Sequence, residues 1–572
     1  MLGAKSRAYP GWVLLVAVCC VAAVGLSACG GHTVGARSVG PTSAQLWAFG
    51  ACDQSCTAYM HYRQVGSSTW TDTPHLTVGT VNPGVYWSWG VTGLLPDTEY
   101  EYQECGQESG WSGPGCVGPT GGAGTESFFT APASTFGPLG QAWFQSPSTW
   151  PYAARAVVVN HTVYVGSWDG YERAYDESGN LKWATNLGQS TSCSDQAGGP
   201  YTQGVTSAPA VDPVSGDLYL GDGTSNFDAL DPNTGAILWS VPTDIGTGNY
   251  NWSSPLIYKG HAYIGTASFC DDPLTQGKLL RINLQTHRVD ATFASVPTGQ
   301  VGGGIWSSPV VDPATNTVFV TTGTRTSASQ PLAESIVALD ATTLAVKSHW
   351  QVPDCNPTCA DFDFGTTPTL LTDSAHRQLI AAANKNGYLY AFDRNNLAGG
   401  PVWQDNIAVS GAAPFNGQGS VSNGVFDGKY LYYAGGITSI SGQSYMGSVR
   451  AIDPATGNYA WQRGLAAVPL AALTSANGEL VCPTYDFGGK AGLWIINAAT
   501  GNVDYANAGD FFAPPTVADG FLFEGDIDGN FDAFQFPSAP GAAAAAPAPT
   551  SQETRAQPKI PRTKLLHPIH LP

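Results

Sequence analysis

Charged residues are scarce in this chain, since Asp, Glu, Lys and Arg together make up 12% of its 572 residues. The 24 basic residues are outnumbered by 43 acidic ones, which gives a net charge of −19. Because no Lys/Arg cluster falls on a predicted strand, the sequence argues against a nucleic acid partner. The chain also shows no Ser/His/Asp arrangement and no Gly-rich phosphate loop, so it does not indicate a hydrolase or a nucleotide-binding protein.

Helix-forming charged residues are few, whereas the chain has 69 glycines and 17 tryptophans. This composition, over a length that can bury a large core, predicts a β-rich protein of at least two domains.

A repeated unit occupies the last two thirds of the chain. It reads Ser-x-Pro, an apolar stretch closed by a turn, then Ala-x-Asp-x-x-Thr-Gly and a Trp; one copy begins at Ser207, passes Asp231 and ends at Trp239. The Ala-x-Asp position recurs about every fifty residues, which allows four short strands in each unit. The eight aligned positions are Asp176, Asp231, Asn283, Asp340, Asp393, Asp453, Asn497 and Gln535.

The eight copies predict an eight-bladed β-propeller over residues 151–537. The last copy has only three strand signals, ending at Phe536, and the missing fourth strand is predicted at 141–144, within the linker 133–150. Pairing the two ends of the domain would remove an exposed sheet edge. Residues 538–572 are rich in Ala and Pro and polar at the end, which predicts a disordered tail.

Residues 32–132 form a separate predicted module of short alternating strands. Its segment Leu94-Leu95-Pro96-Asp97-Thr98-Glu99-Tyr100 resembles the Leu-x-Pro-x-Thr-x-Tyr of fibronectin type III domains, in which Tyr100 would supply the tyrosine corner. A different Ig-like sandwich is the alternative. Either fold would serve as a spacer or a binding arm.

The N-terminus has Lys5 and Arg7, then an apolar run, and ends in Leu26-Ser27-Ala28-Cys29. This pattern indicates an export signal over residues 1–28. The last four residues resemble the lipobox of bacterial lipoproteins, which implies that Cys29 carries a lipid and holds the protein at a membrane facing outside the cytoplasm. An ordinary secretory signal or an uncleaved anchor helix is the alternative.

The cysteines that follow fit an exported protein. Close spacing predicts the disulfides Cys52–Cys56, Cys105–Cys116 and Cys355–Cys359, and a fourth bridge is considered between Cys193 and Cys270. A zinc site is the competing interpretation of Cys355 and Cys359, although no nearby His completes a ligand set. Cys482 is left over and is predicted to be a buried strand residue.

The repeat resembles the quinoprotein (PQQ) propeller repeat over residues 138–537, in which the Trp docks between blades. Three segments, 303–309, 361–368 and 387–393, also look like blade starts and turns of PQQ-dependent polyvinyl alcohol dehydrogenases. In that family PQQ lies between a Trp and a disulfide of consecutive cysteines, Glu, Asn and Asp hold Ca²⁺, and an Asp takes the alcohol proton. The resemblance thus implies an all-β propeller behind an Ig-like sandwich, with PQQ and Ca²⁺ as candidate cofactors.

Carried over to this chain, the family's base aligns with Asp340, which is also the ordinary repeat aspartate. Trp306 and Trp252 are candidates for stacking on a cofactor, although docking between blades is the default interpretation of a propeller Trp. Asp271 and Asp272 could offer carboxylates to a cation, although a solvated loop is the favoured interpretation. Two departures stand against the cofactor: no consecutive cysteines follow the signal, and Gly323-Thr324 replaces the family's Gly-Asn.

These departures favour a lipid-anchored binding or scaffold protein of the cell envelope, which acts as a monomer on an envelope protein or on a polymeric or carbohydrate ligand. The alternative is a PQQ-dependent alcohol dehydrogenase of the polyvinyl alcohol type with a diverged cofactor site.

Overall fold

The computed structural model describes residues 33–37, 43–52, 56–78, 81–95, 98–108, 115–117, 125–129, 139–194, 200–244, 248–269, 271, 273–353, 361–486 and 490–536. The signal with Cys29, the tail 538–572 and four predicted site residues, Cys270, Asp272, Cys355 and Cys359, lie outside these ranges. Over the part that is described, regular structure is β-strand apart from the short 3-10 helices Leu397–Gly399 and Pro414–Asn416. Within the same ranges, no helix has the length and apolar character to span a bilayer.

The N-terminal module consists of two antiparallel sheets, one ordered β1-β2-β6 and the other built around β3 and β7. Its strands are β1 (Thr33–Arg37), β2 (Ser43–Cys52), β3 (Cys56–Gln64), β4 (Thr71–Asp72), β5 (Leu76–Val78), β6 (Val81–Thr92), β7 (Glu99–Glu108), β8 (Gly115–Val117) and β9 (Glu126–Phe129). Leu46 and Trp89 of the first sheet share one buried cluster with Met60 and Tyr102 of the second, so the sheets pack face to face.

Two features of this module bear on the sequence predictions. The hydroxyl of Tyr100 accepts a hydrogen bond from the backbone N–H of Leu95 at 2.9 Å, the contact expected of a tyrosine corner. Cys56 and Cys105 each take part in a disulfide bond. Cys116 is opposite Cys105 in the strand register. The pairings themselves stay predictions, because the side chains of Cys52, Cys116 and Cys193 are not described.

The described residues from 139 to 536 form eight antiparallel sheets of four or five strands, together with two small hairpins. The first half of this region contains β10 (Gln141–Gln145), β11 (Val157–Val159), β12 (Thr162–Gly166), β13 (Tyr171–Asp176), β14 (Leu181–Asn186), β15 (Ser190–Ser194), β16 (Pro200–Gln203), β17 (Ala210–Val211), β18 (Leu218–Gly221), β19 (Asn226–Leu230), β20 (Ile237–Pro242), β21 (Asn249–Tyr250), β22 (Leu256–Tyr258), β23 (His261–Ser268), β24 (Lys278–Asn283), β25 (Arg288–Ala294), β26 (Val310–Asp312), β27 (Thr317–Thr321), β28 (Ser335–Asp340) and β29 (Val346–Gln351).

The second half contains β30 (Thr369–Thr372), β31 (Gln378–Ala383), β32 (Tyr388–Asp393), β33 (Pro401–Asn406), β34 (Val425–Phe426), β35 (Leu431–Gly435), β36 (Thr438–Ile440), β37 (Gln443–Tyr445), β38 (Gly447–Ile452), β39 (Tyr459–Leu465), β40 (Thr474–Ala476), β41 (Glu479–Pro483), β42 (Gly492–Asn497), β43 (Val503–Ala508), β44 (Thr516–Ala518), β45 (Phe521–Gly525) and β46 (Phe531–Gln535). We number the sheets 1 to 8 in chain order, so that sheet 1 is β11–β14 and sheet 8 is β44–β46 completed by β10.

The Ser-x-Pro part of the repeat ties neighbouring sheets together around their inner edge. The backbone N–H of Ala208 donates to Ser254 Oγ at 2.9 Å, and that of Ser254 donates to Ser308 Oγ at 3.0 Å. The series continues from Ser308 N–H to Thr367 Oγ1 at 3.0 Å and from Thr367 N–H to Asn423 Oδ1 at 2.7 Å. Each unit thus uses its polar residue to satisfy a backbone donor of the preceding sheet.

The Trp of the repeat docks on the next sheet. Trp183 Nε1 donates to the carbonyl of Pro232 at 2.9 Å, and its ring covers Gly235, where an added Cβ would lie 2.5 Å from the ring. Trp403 repeats the contact on the carbonyl of Pro454 at 2.8 Å. At Gly235 and Gly457 a left-handed glycine therefore lets the indole approach the backbone.

The first and last sheets meet through the strand that precedes sheet 1. β10 pairs antiparallel with β46, so Gln141–Gln145 supplies the fourth strand of sheet 8. Trp143 of this strand donates from Nε1 to the carbonyl of Glu177 at 2.7 Å, which repeats the docking contact of the other sheets. The two chain ends of the domain are thus held by the same interactions as any neighbouring pair of sheets.

Candidate functional site

A group of polar residues meets at one end of sheets 3, 4 and 5. We call it the acid–lysine cluster, and its members are Asp271, Asp361, Asp363, Glu334 and Lys385. They lie on the loops after β23, β27, β29 and β31, so the propeller architecture alone brings them together from distant parts of the sequence.

Lys385 occupies the centre of this cluster. Its side chain is 0% exposed, and Nζ lies 3.0 Å from Asp361 Oδ1 and 3.6 Å from Asp363 Oδ2. The tight turn between β31 and β32 fixes its backbone, because Gly387 N–H donates to the carbonyl of Asn384 at 3.0 Å and Lys385 N–H donates to that of Asp363 at 3.0 Å. A buried ammonium is stable here because carboxylates surround it.

Asp363 is 2% exposed and is oriented by several donors besides the lysine. Trp306 Nε1 donates to its Oδ2 at 3.0 Å, and Thr324 Oγ1 donates to its Oδ1 at 3.1 Å. Gly323 makes room for the carboxylate, since an added Cβ would lie 2.7 Å from Oδ2. The Gly323-Thr324 pair, which in sequence looked like the loss of a ligand, thus positions Asp363.

Trp306 places an aromatic surface beside these charges. Lys385 Nζ lies 5.5 Å from the centroid of its ring. Gly365 lies under the ring, where an added Cβ would come within 2.3 Å of it. The indole is only partly buried, so it forms the boundary between the acid–lysine cluster and the apolar residues next to it.

Asp271, Glu334 and Asp361 hold protons more tightly than exposed carboxyls do. Burial, followed by the charge of Asp363, raises the pKa of Asp361 to about 8, that of Asp271 to about 6 and that of Glu334 to about 7. Burial lowers the pKa of Lys385, but the charges of the three aspartates raise it by more than burial lowers it. The pKa is therefore above its ordinary value, and the lysine stays charged. The cluster has more carboxyl groups than ammonium groups, and the protons held by the carboxyls with raised pKa values remove part of the excess negative charge near neutral pH.

An apolar cluster fills the space beside the acid–lysine cluster. It contains Trp168, Tyr250, Phe415, Leu470 and Phe512, which come from the loops of sheets 1, 3, 6, 7 and 8. Residues from sheets that are not neighbours can share one cluster only where the sheets converge, near the axis of the ring. The candidate site thus consists of the acid–lysine cluster and this apolar cluster beside it, which we call the aromatic floor.

The structure brings together two of the residues that the sequence proposed for the site. Trp306 contacts Asp363, and Asp271 interacts electrostatically with Asp363 and Lys385. Trp252 instead belongs to the aromatic floor: it is 9% exposed, and its Nε1 donates to the carbonyl of Ser268 at 2.9 Å. Its packing fits the docking alternative rather than a free stacking surface.

Asp340 lies at the far end of β28 from Glu334, and a strand of six residues spans about 20 Å. Its Oδ1 accepts hydrogen bonds from the N–H groups of Thr342 and Thr343 at 3.0 and 2.9 Å. These bonds lower its pKa, so it is an ionised turn residue. Asp340 is therefore remote from the acid–lysine cluster, and its role as the base stays a prediction.

Sequence reasoning missed four members of the cluster, Asp361, Asp363, Glu334 and Lys385. Two signals were present. Counted back from Pro368, Asp363 stands where the segments ending at Pro255 and Pro309 have Tyr250 and Gly304, and Lys385 stands where the equivalent turns of sheets 1 and 8 have Trp168 and Ile527. In this chain the candidate site residues are found at positions that differ from the other copies of the repeat, not at the positions that recur.

Comparisons with known proteins agree with this architecture. Residues 284–410 match the family model described as the glucose/ethanol/alcohol dehydrogenase β-propeller domain, and residues 385–510 match that of the outer membrane protein assembly factor BamB. The chain has a PQQ-like β-propeller. The first of these matches includes Trp306, Thr324, Asp361, Asp363 and Lys385.

Two relatives show how much of the chain is similar in sequence to known proteins. The chain is 24% identical over 302 residues to a polyvinylalcohol dehydrogenase of Sphingopyxis sp. (strain 113P3), covering 45% of each protein. It is 27% identical over 309 residues to the quinohemoprotein alcohol dehydrogenase of Comamonas testosteroni, covering 45% of this chain and 41% of the relative. The aligned part is thus less than half the length of these relatives.

The crystal structure of the Comamonas testosteroni quinohemoprotein alcohol dehydrogenase superimposes with a TM-score of 0.54 at 20% identity, over 73% of this chain and 78% of the other. At this identity the likeness concerns the fold. The all-β prediction and the PQQ-like propeller are confirmed.

Proposed function

We propose that this protein is a quinoprotein-type dehydrogenase that oxidises an alcohol at the acid–lysine cluster, with PQQ and a divalent cation such as Ca²⁺ as its cofactors. The observation that carries the proposal is the buried Lys385 bridging Asp361 and Asp363 beside the indole of Trp306. The names of the polyvinylalcohol and quinohemoprotein alcohol dehydrogenases add support.

The cluster contains the type of ligand that a divalent cation takes. Ca²⁺ prefers several oxygen ligands, and Asp271, Asp361, Asp363 and Thr324 have carboxylate and hydroxyl oxygens, which would have to move closer together around an ion. Burial first, and then the charge of Asp363, raises the pKa of Asp271 and of Asp361. A bound cation would relieve the repulsion between these carboxylates.

Trp306 and Lys385 suit a flat, polar cofactor, whereas the cysteines of this chain differ from those that the family uses. The partly exposed indole of Trp306 offers an aromatic face, and Lys385 offers a charged donor at its edge. No two consecutive cysteines occur after Cys20, so the disulfide that the resemblance implies is absent from residues 21–572. Bound PQQ would supply the electron-accepting quinone that the protein's own side chains lack.

Within this proposal Asp363 is the base that accepts the proton of the alcohol hydroxyl. Its two oxygens receive bonds from Trp306 and Thr324, which hold the carboxylate in a fixed orientation while leaving acceptor positions on each oxygen. The ammonium of Lys385 lowers the pKa of Asp361 and of Asp271, against the larger effect of burial. Asp361, whose pKa is raised to about 8, would carry a proton at neutral pH and limit the charge of the group.

The experiment is reconstitution of the purified protein with PQQ and CaCl₂, followed by calorimetry and a dye-linked assay with small alcohols and polyvinyl alcohol. We expect saturable binding of PQQ and oxidation of at least one alcohol. Absence of PQQ binding in the presence of Ca²⁺ would remove the proposal.

A binding or scaffold role at the cell envelope is the second candidate. It is favoured by the BamB match over residues 385–510, a stretch that includes sheets 6 and 7. With it belong our proposals of an eight-bladed ring, a fibronectin type III-like module supported by the Tyr100 bond to Leu95, and a lipid anchor at Cys29. Crosslinking of envelope proteins in cells, without PQQ binding in vitro, would support this candidate over the first.

A further inference from the structure

The turn between the first two strands of sheet 1 differs from its equivalents in other sheets. Val159 pairs with Thr162, so Asn160 and His161 form a two-residue turn in which both have positive φ, 49° and 59°. Such turns favour Asn-Gly, because a left-handed conformation is costly for a residue with a side chain. The equivalent turns of sheets 3, 7 and 8 all have glycine at the second position: Lys259–Gly260, Asn477–Gly478 and Asp519–Gly520.

His161 therefore occupies a position where the fold itself prefers glycine, and its side chain has specific neighbours. Nδ1 lies 2.6 Å from Glu177 Oε1 and 3.4 Å from Asp519 Oδ2. Glu177 belongs to the turn between β13 and β14 of sheet 1, whereas Asp519 belongs to the turn between β44 and β45 of sheet 8. The imidazole thus reaches across the junction at which the first and last sheets meet.

We propose that His161, Glu177 and Asp519 form a binding site for a borderline divalent metal ion of the zinc class, which links sheet 1 to sheet 8. One ligand atom from each residue lies within 4.8 Å of the other two. Metal bonds of about 2.0–2.2 Å would hold ligand atoms roughly 3.3 Å apart, which needs only small rotations of these side chains.

The chemistry of the three ligands selects the ion. An imidazole nitrogen with two carboxylates suits zinc, nickel or copper, whereas calcium and magnesium prefer oxygen alone. The side chain of His161 is 75% exposed, so water can complete the coordination. In the metal-free form the hydrogen bond and charge of Glu177, helped by Asp519, raise the pKa of His161, and the proton occupies the position that the metal would take.

The site lies at the opposite end of the sheets from the acid–lysine cluster and does not depend on the proposed function. A bound ion would add a link to the junction that β10, Trp143 and Thr516 already form, since Thr516 Oγ1 donates to the carbonyl of Ala156 at 2.6 Å. Any ligand that binds only the folded state stabilises it.

The test uses the full chain after treatment with a chelator, titrated with ZnCl₂ in a calorimeter and with CoCl₂ in a spectrophotometer. The variants are His161→Gly, which restores the glycine of the equivalent turns, and Asp519→Asn, which keeps a residue that tolerates positive φ. The matched control is His376→Gly, because His376 is also an exposed histidine with positive φ, 62°, between the first two strands of its sheet.

We expect the wild type and His376→Gly to bind zinc equally, with a rise in melting temperature. His161→Gly and Asp519→Asn should bind it at least about 10-fold more weakly, because even residues behind the ligands contribute that much. Cobalt should give visible absorption bands that His161→Gly lacks. Zinc held by the acid–lysine cluster would persist in every variant and so be recognised. Equal zinc binding by the wild type and His161→Gly, or no binding by the wild type, would overturn the site.

Discussion

Aspartates lie at both ends of the propeller sheets, in surroundings that differ. At one end Asp340 accepts backbone N–H groups of its own turn, and these bonds lower its pKa. At the other end burial and the charge of Asp363 raise the pKa of Asp271 and Asp361. The first kind of aspartate recurs with the repeat, as in Asp231, and the second kind occurs where the repeat is interrupted.

This difference has a physical origin. A turn aspartate replaces a missing backbone acceptor and needs solvent on its other side, so it can recur in every unit. An aspartate buried beside other carboxyls costs stability unless a cation is near, and the fold accepts that cost only at a site with a use for it. The two ends can therefore be tested separately, and we rank the tests by the size of the effect.

The largest effect concerns the base. In protein reconstituted with PQQ and Ca²⁺, Asp363→Asn should lower the rate of alcohol oxidation by about 10²–10⁴-fold, the usual contribution of a general base. Asp340→Asn should leave the rate unchanged, because Asp340 lies at the far end of β28. The opposite pattern, with the rate lost in Asp340→Asn, would place the chemistry at the turn and refute our assignment.

The next effect concerns the buried cation. Lys385→Met removes the ammonium from between Asp361 and Asp363, and an unpaired buried carboxylate typically costs about 3–5 kcal/mol of unfolding free energy. Denaturant unfolding at pH 8 should show this loss, and the loss should shrink at pH 5, where the carboxyls take up protons. Lys347→Met is the control, because Lys347 is exposed and bonds to Thr315 and Thr317, and we expect a change below about 0.5 kcal/mol. Equal losses in both variants would contradict the importance of the cluster.

A third test separates the two kinds of aspartate by pH. The folded-state pKa of Asp361 is about 8, above the unfolded value, so ionising this group in the folded state costs stability as the pH rises from about 4 to 8. Asp361→Asn removes this cost. The unfolding free energy of the variant, relative to that of the wild type, should therefore rise by more than about 1 kcal/mol between pH 5 and pH 8, which is about the equivalent of one pKa unit. Parallel stability curves for the two proteins would show that the carboxyl is already ionised and compensated.

Much of the fold could be predicted from the sequence because the positions of the repeat have structural roles that recur from copy to copy. The resemblance implies that the Trp of the repeat docks between blades, and Trp183 does so on the turn that contains Gly235. The bond from Ala208 N–H to Ser254 Oγ was not predicted. Asp340 was chosen as the candidate base because alignment to the repeat finds what recurs. Lys385 and Asp363 are 22 residues apart and meet only when sheets 4 and 5 pack, which spacing along the chain does not reveal.

The smallest effect concerns the repeat aspartate itself. Asp340→Asn keeps one side-chain oxygen for the N–H groups of Thr342 and Thr343 and loses only the charge, so we expect a loss of about 0.5 kcal/mol of unfolding free energy, at the low end for a hydrogen bond. Because the folded-state pKa of Asp340 is lowered, the wild type has this advantage above the unfolded pKa near 4 and loses it as the pH falls through the folded value. The stability difference between the two proteins should therefore vanish in acid, whereas that of Asp361→Asn grows toward alkaline pH. If both differences changed with pH in the same direction, the contrast between the two ends of the sheets would be wrong.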